Sequence, residues 1–149
     1  MAKILVLHGP NLNLLGTREP EIYGRATLQE IHRRIAAHAA ELGLTVRFFQ
    51  SNHEGALIDR LHERDFDLAI VNAGGLTHTS VALRDALLAV QRPFIEVHLS
   101  DPSTREAFRA VNFLHDIALE SIVGQGESGY HLALESIARR VAEGTVEGG

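Results

Sequence analysis

Two short stretches of the 149-residue chain carry the residue types from which a proton-transfer site could be built. In the first, FIEVHLS at 94–100, Glu96 and His98 stand two apart in an otherwise apolar run. On a strand that spacing aims both side chains at one face. Two ionisable groups in a covered strand are costly unless paired, so the carboxylate is expected to orient the imidazole and favour its protonated form. The pair could also be structural, stitching the strand end to a neighbour. The second stretch, GPNLNLLGTREPEIYG at 9–24, holds Asn11, Arg18 and Tyr23. A phenol with an ordinary pKa of about 10 is a poor base at neutral pH, but a nearby guanidinium favours phenolate. Arg18 with Tyr23 would then make a base, and Glu96 with His98 an acid. On spacing alone Tyr23 could equally be a rim aromatic that packs a lid shut.

Other polar residues cluster where they could hold a ligand. Asn72, Thr77, His78, Thr79 and Ser80 lie between an apolar run and a predicted helix. They could be caps, or they could present helix amides to an anion. Arg105 and Arg109 are four apart on a predicted helix, so they share a face and at least one could clamp a carboxylate.

Several chemistries are excluded or disfavoured. Of the 14 basic residues only Lys3 is a lysine, at the start of the first strand and away from the loops, so imine formation has no plausible nucleophile. The absence of cysteine removes disulfides, thiolate metal sites and cysteine nucleophiles. Nine histidines are scattered without a ligand spacing, so no metal is expected. GQGESG at 124–129 matches G-x-G-x-x-G, but no chain remains for the second strand with its acidic ribose partner. It reads as a tight strand-to-helix turn. A formal net charge of −5 without a basic patch argues against nucleic acid. No apolar run reaches bilayer length and the first residues lack a signal-peptide layout, so a cytoplasmic protein without membrane contact is expected.

The elements that must position these residues alternate strictly. Strands are predicted at 3–8, 45–50, 68–71, 94–99 and 121–123. Helices are predicted between them: one opened by a Thr27/Glu30 capping box and stopped at Gly43, then 54–64, 80–90, one starting at 101–103 with a second possible box at Ser103/Glu106, and 129–142. The run 9–24, rich in Pro and Gly, must be a loop, and Leu12, Leu14, Leu15 and Ile22 suggest a packed lid. Tyr130 reads as a packing residue. Five βα units with apolar strands imply a flavodoxin-like, doubly wound parallel sheet of order 2-1-3-4-5, an α/β/α sandwich forming a single domain over 1–149 with a frayed tail at 143–149. Its crevice would lie between strands one and three, lined by the loops at 9–24 and 72–79.

The sequence resembles the type II 3-dehydroquinate dehydratases. GPNLNLLGTREPEIYG, NAGGLTHTSVALRDA, IEVHLS and GQGESGYHLAL match the family's signature blocks in order, over nearly the whole chain. The resemblance implies the same flavodoxin-like fold and reversible dehydration of 3-dehydroquinate through an enolate, without metal or cofactor. It implies Tyr23 as the base, Arg18 holding it as phenolate, Asn11 holding a water against the enolate oxygen, and His98, oriented by Glu96, as the acid. Asn72, His78, Leu99 through its backbone, Ser100 and Arg109 would contact the anionic substrate. Asp85 would reach the site of a neighbouring subunit in a homododecamer built from trimers. The chain departs from the family pattern at Asp101, usually Asn, and through 103–115, where VNFLH at 111–115 replaces His-Ser-Tyr-Leu-Ser. Asp101 is expected to weaken anion binding, and the drift to leave acid and base untouched. The alternatives are a flavodoxin-like binding module or an inactive paralogue. A phosphoacceptor module would want acidic residues where His8 and Asn72 stand, and a flavin module a phosphate-cradling loop in place of 9–24.

Overall fold

Short apolar runs become β1 (Lys3–His8), β2 (Thr45–Gln50), β3 (Leu68–Asn72), β4 (Phe94–His98) and β5 (Glu120–Val123). In the computed structural model, which describes residues 1–146, these strands form one parallel sheet of order β2-β1-β3-β4-β5. The order reverses between β1 and β3, which opens the crevice expected of a doubly wound sheet. The helices are α1 (Pro20–Tyr23), α2 (Leu28–Glu41), α3 (Glu54–His62), α4 (Val81–Val90) and α5 (Ser128–Ala142). The Thr27/Glu30 capping box opens α2 with both reciprocal hydrogen bonds at 3.2 Å.

Strand alternation sorts the core into two layers. Ile4, Val6, Leu68, Ile70, Ile95 and Val97 face α2 and α5, where Ile31, Ile35, Leu134 and Ile137 cover them. Leu5, Leu7, Ala69, Val71 and Phe94 face α3 and α4, under Leu57, Leu61, Leu83 and Leu87. Each such aliphatic side chain gains about 1.5–3 kcal/mol on leaving water. The central strands are therefore buried on both faces, and any polar residue on them must find a partner inside.

The connection between β4 and β5 differs from expectation. No α-helix forms there; the segment makes 3₁₀ turns at Pro102–Thr104, Ala107–Ala110 and His115–Ile117. The expected Ser103/Glu106 box is replaced by Asp101, whose carboxylate accepts from Ser103 N at 3.0 Å, while Glu106 turns to Arg109. Arg105 is extended (φ −111°, ψ −156°), which ends the first turn. Arg105 and Arg109 thus do not share a helix face.

Two smaller expectations also change. Residues 143–146 are tied down: Gly144 takes φ 72°, and Thr145 N and Val146 N donate to Arg140 O, a glycine-terminated helix end. Residues 147–149 of the expected tail lie outside the described residues. In the loop after β1, Leu12 and Leu15 are buried as a packed lid requires, but Leu14 and Ile22 remain exposed.

Candidate active site

The loops after β1 and β3 meet at the crevice. Gly9 N donates to Asn72 O at 2.8 Å, and a Cβ at Gly9 would lie 2.2 Å from Ala73 O, so this approach requires glycine. Beyond that contact opens a cleft enclosing about 620 Å³, including its solvent-open mouth. Asn11, Arg18 and Tyr23 line it from the first loop, Asn72, Gly74, Gly75 and His78 from the second, and His98, Leu99, Ser100, Pro102, Arg105 and Arg109 from β4 onward. Three guanidinium groups and no carboxylate side chain line it among the described residues, which suits an anion.

Strand geometry produces the Glu96–His98 pair as expected: His98 Nε2 lies 2.6 Å from Glu96 Oε2, with Glu96 fully buried. Among the described residues His98 Nδ1 makes no hydrogen bond. Burial pushes the Glu96 carboxyl up, but the hydrogen bonds from His98 and Ser121, the His98 charge and the Asn112 amide outweigh it and hold the group below its ordinary value. The stitching role left open above is also realised, because Ser121 belongs to β5 and its Oγ donates to Glu96 Oε1 at 2.5 Å. The ring of His78 stacks on that of His98 at 6.4 Å and is aimed by Nδ1, which donates to Val111 O at 2.6 Å.

Tyr23 ends α1 and is half-buried. Arg105, not Arg18, is on its oxygen: Arg105 Nη1 donates to Tyr23 OH at 2.5 Å. The Arg18 guanidinium lies over the ring, 4.8 Å from its centroid. The phenol oxygen is thus served by an arginine from a distant segment. Sequence had singled out Arg105 as a possible clamp; nothing in its spacing pointed to Tyr23.

The remaining expected residues divide. Asn72 is buried, lines the cleft and donates to Tyr130 OH at 3.0 Å; Tyr130 is a packing residue whose phenol is raised by burial against that bond. Ser80 is the N-cap of α4, accepting from Leu83 N at 2.8 Å and donating to Glu54 at 2.5 Å, and neither it nor Thr79 lines the cleft. The helix-amide anion reading is therefore not realised there. Asp85 is exposed on α4 and lines no part of its own chain's cleft. Asp101 does not line it either, since its Oδ1 accepts from Ser103 N and Oγ. The turn at 124–129 packs α5 onto the sheet: a Cβ at Gly129 would lie 3.2 Å from Val97 Cγ1. Finally, the drifted segment reaches the partner of the acid: Asn112 Nδ2 donates to Glu96 Oε2 at 2.8 Å.

Comparison with known proteins decides the family. The profile of the family Dehydroquinase class II matches residues 2–138. The chain belongs to this family. Proteins similar to it include the 3-dehydroquinate dehydratase of Methylococcus capsulatus, 58% identical over 139 residues, covering 91% of this chain and 94% of that protein. The catabolic 3-dehydroquinase of Pyricularia oryzae is 53% identical over 142 residues, covering 93% and 90%. The crystal structure of the type II dehydroquinase from Propionibacterium acnes shares the fold at a TM-score of 0.88 and 36% identity, covering 93% of this chain and 97% of that one. The strand order and crevice are those of the family's flavodoxin-like fold.

Proposed function

We propose that the chain is a 3-dehydroquinate dehydratase, a hydro-lyase working by anti elimination through an enolate. The observation that carries this reading is one cleft lined both by a phenol under two guanidinium groups and by an imidazole backed by a buried carboxylate. Tyr23, as phenolate, removes the proton next to the ketone. Arg105 at its oxygen and Arg18 over its ring supply the positive charge an oxyanion there needs. The electron pair moves to the carbonyl oxygen, giving an enolate that a water held by Asn11 stabilises. When the enolate collapses, the carbon–oxygen bond to the hydroxyl breaks, and His98 gives that hydroxyl its proton so that water leaves. Glu96 orients the imidazole and stabilises its charged form. Asn72, His78, the Leu99 backbone, Ser100 and Arg109 hold the anionic substrate.

The same reading makes the whole chain one catalytic domain and the protein a cytoplasmic homo-oligomer, a dodecamer by family resemblance. Asp85 lies between Val81 and Leu88, each 50% exposed on α4, which suits a face covered by a neighbour whose cleft Asp85 would reach. Among the described residues no helix is long and apolar enough to cross a membrane.

The test is to give 3-dehydroquinate to the purified protein and follow the ultraviolet absorbance of the conjugated product, before and after treatment with EDTA and with borohydride. Activity that survives both supports the reading; loss with EDTA or borohydride overturns the metal-free or imine-free route, and no activity at all overturns the function.

A further inference from the structure

A carboxylate taken out of water must find donors for its lone pairs. Glu96 has three: His98 Nε2 at 2.6 Å and Asn112 Nδ2 at 2.8 Å on Oε2, and Ser121 Oγ at 2.5 Å on Oε1. Each of the two added donors is itself fixed. Asn112 Oδ1 accepts from the backbone N–H of Leu114 at 2.7 Å and of His115 at 2.9 Å, so its NH₂ can only face Glu96. Ser121 stands in register with Glu96 on the neighbouring strand. Its hydroxyl has one proton; with that proton on Glu96, the oxygen accepts from His115 Nδ1 at 2.9 Å. Donors therefore run inward from exposed His115 through Ser121 to Oε1, while Asn112 closes the other side.

We propose that Asn112 and Ser121 are positioning residues for the elimination step, locking the Glu96 carboxylate so that Oε2 stays on His98 Nε2 and Nδ1 is left as the nitrogen that serves the cleft. This rests on the reading of His98 as the acid. A carboxylate held by the imidazole alone can rotate and carry the ring with it; one gripped on both oxygens from two different segments cannot. Asn112 lies in the stretch 111–115, where the chain departs from the family pattern, so this grip includes a residue the pattern does not supply. The other ionisable groups near the pair are His115, 3.9 Å from Glu96 Oε1, His78 stacked on His98, and Asp101, whose carboxyl is held below its ordinary value chiefly by its hydrogen bonds with Ser103 and in small part by the His98 charge.

The experiment separates the two proton transfers. In D₂O, exchange of the proton next to the ketone reports the Tyr23 step alone, whereas product absorbance reports completed elimination. Asn112→Ala and Ser121→Ala are each expected to lower kcat about tenfold, a misplacement effect, with KM within about twofold. The ratio of exchange to dehydration should rise about tenfold, and Ser121→Thr, which keeps the hydroxyl, should restore kcat to within about twofold of the parent. Equal loss of exchange and dehydration, unchanged kcat in both alanine variants, or no rescue by Ser121→Thr overturns the proposal. If Asn112→Ala unfolds below the assay temperature, the Ser121 pair decides. A parent protein that neither exchanges nor dehydrates overturns the functional reading instead.

Discussion

Glu96 and His98 sit on a covered strand at 0% and 6% exposure and are held by strand pairing and three donors to one carboxylate, whereas Tyr23 ends a four-residue helix in an irregular, partly exposed loop. That loop takes left-handed backbone at Asn11 (φ 71°) and Glu19 (φ 40°), conformations that non-glycine residues adopt only against some strain. The acid side of the cleft is thus part of the folded core, and the base side is a lid placed by charge. A group built into the core cannot be changed without unsettling the fold. A group on a lid can be changed with loss of chemistry alone.

The sharpest way to break this contrast is to compare Tyr23→Phe with Glu96→Ala. Tyr23→Phe is expected to lower kcat about a thousandfold, as loss of a general base does, with an unchanged melting midpoint. Glu96→Ala should lose activity and also about 2 kcal/mol of stability, because it leaves the Asn112 and Ser121 donors without their acceptor. Equal stability in the two variants, read by chemical denaturation, would remove the distinction.

Within the lid, Arg105→Met should reduce kcat about a hundredfold and Arg18→Met about tenfold, since only Arg105 reaches the phenol oxygen. Equal effects in steady-state assays would mean that the lid closes differently over substrate.

On the core side, His8 is fully buried beside His32 and Tyr130, and burial followed by the His32 charge lowers its pKa from 6.5 to about 3. The unfolded chain takes up this proton below about 6.5 while the folded protein refuses it until about 3, so stability falls as pH drops across that interval. The expected loss between pH 7.5 and 5 is about 2 kcal/mol, and His8→Gln should abolish most of it. Glu96 acts at lower pH: with its folded pKa depressed below 4.5, its contribution is present above that value and is lost on further acidification. Urea denaturation at the two pH values measures the His8 effect; an equal loss in His8→Gln would assign it elsewhere.

The smallest effect is expected at Asp101. Its carboxylate is occupied by Ser103 and does not line the cleft, so Asp101→Asn should leave KM within about twofold. A KM lowered severalfold would restore the expectation, read from sequence, that this charge opposes the anionic substrate.

The sequence by itself determined what depends on local geometry. Apolar period placed the five strands, the Thr27/Glu30 box opened α2, and a spacing of two on a strand put Glu96 beside His98. The length and Pro/Gly content of 9–24 marked a loop at a strand end, which is where the cleft lies. Tertiary structure alone decided the partners that meet across distant segments. Arg105 reaches Tyr23 over 82 residues, and Ser121 and Asn112 reach Glu96 over 25 and 16. A buried carboxylate signals that donors must exist, but not which residues supply them. That choice was made by the segment after β4, which gave up its expected helix to an Asp101 cap and an extended Arg105, and so brought one arginine to the base and one asparagine to the acid's partner.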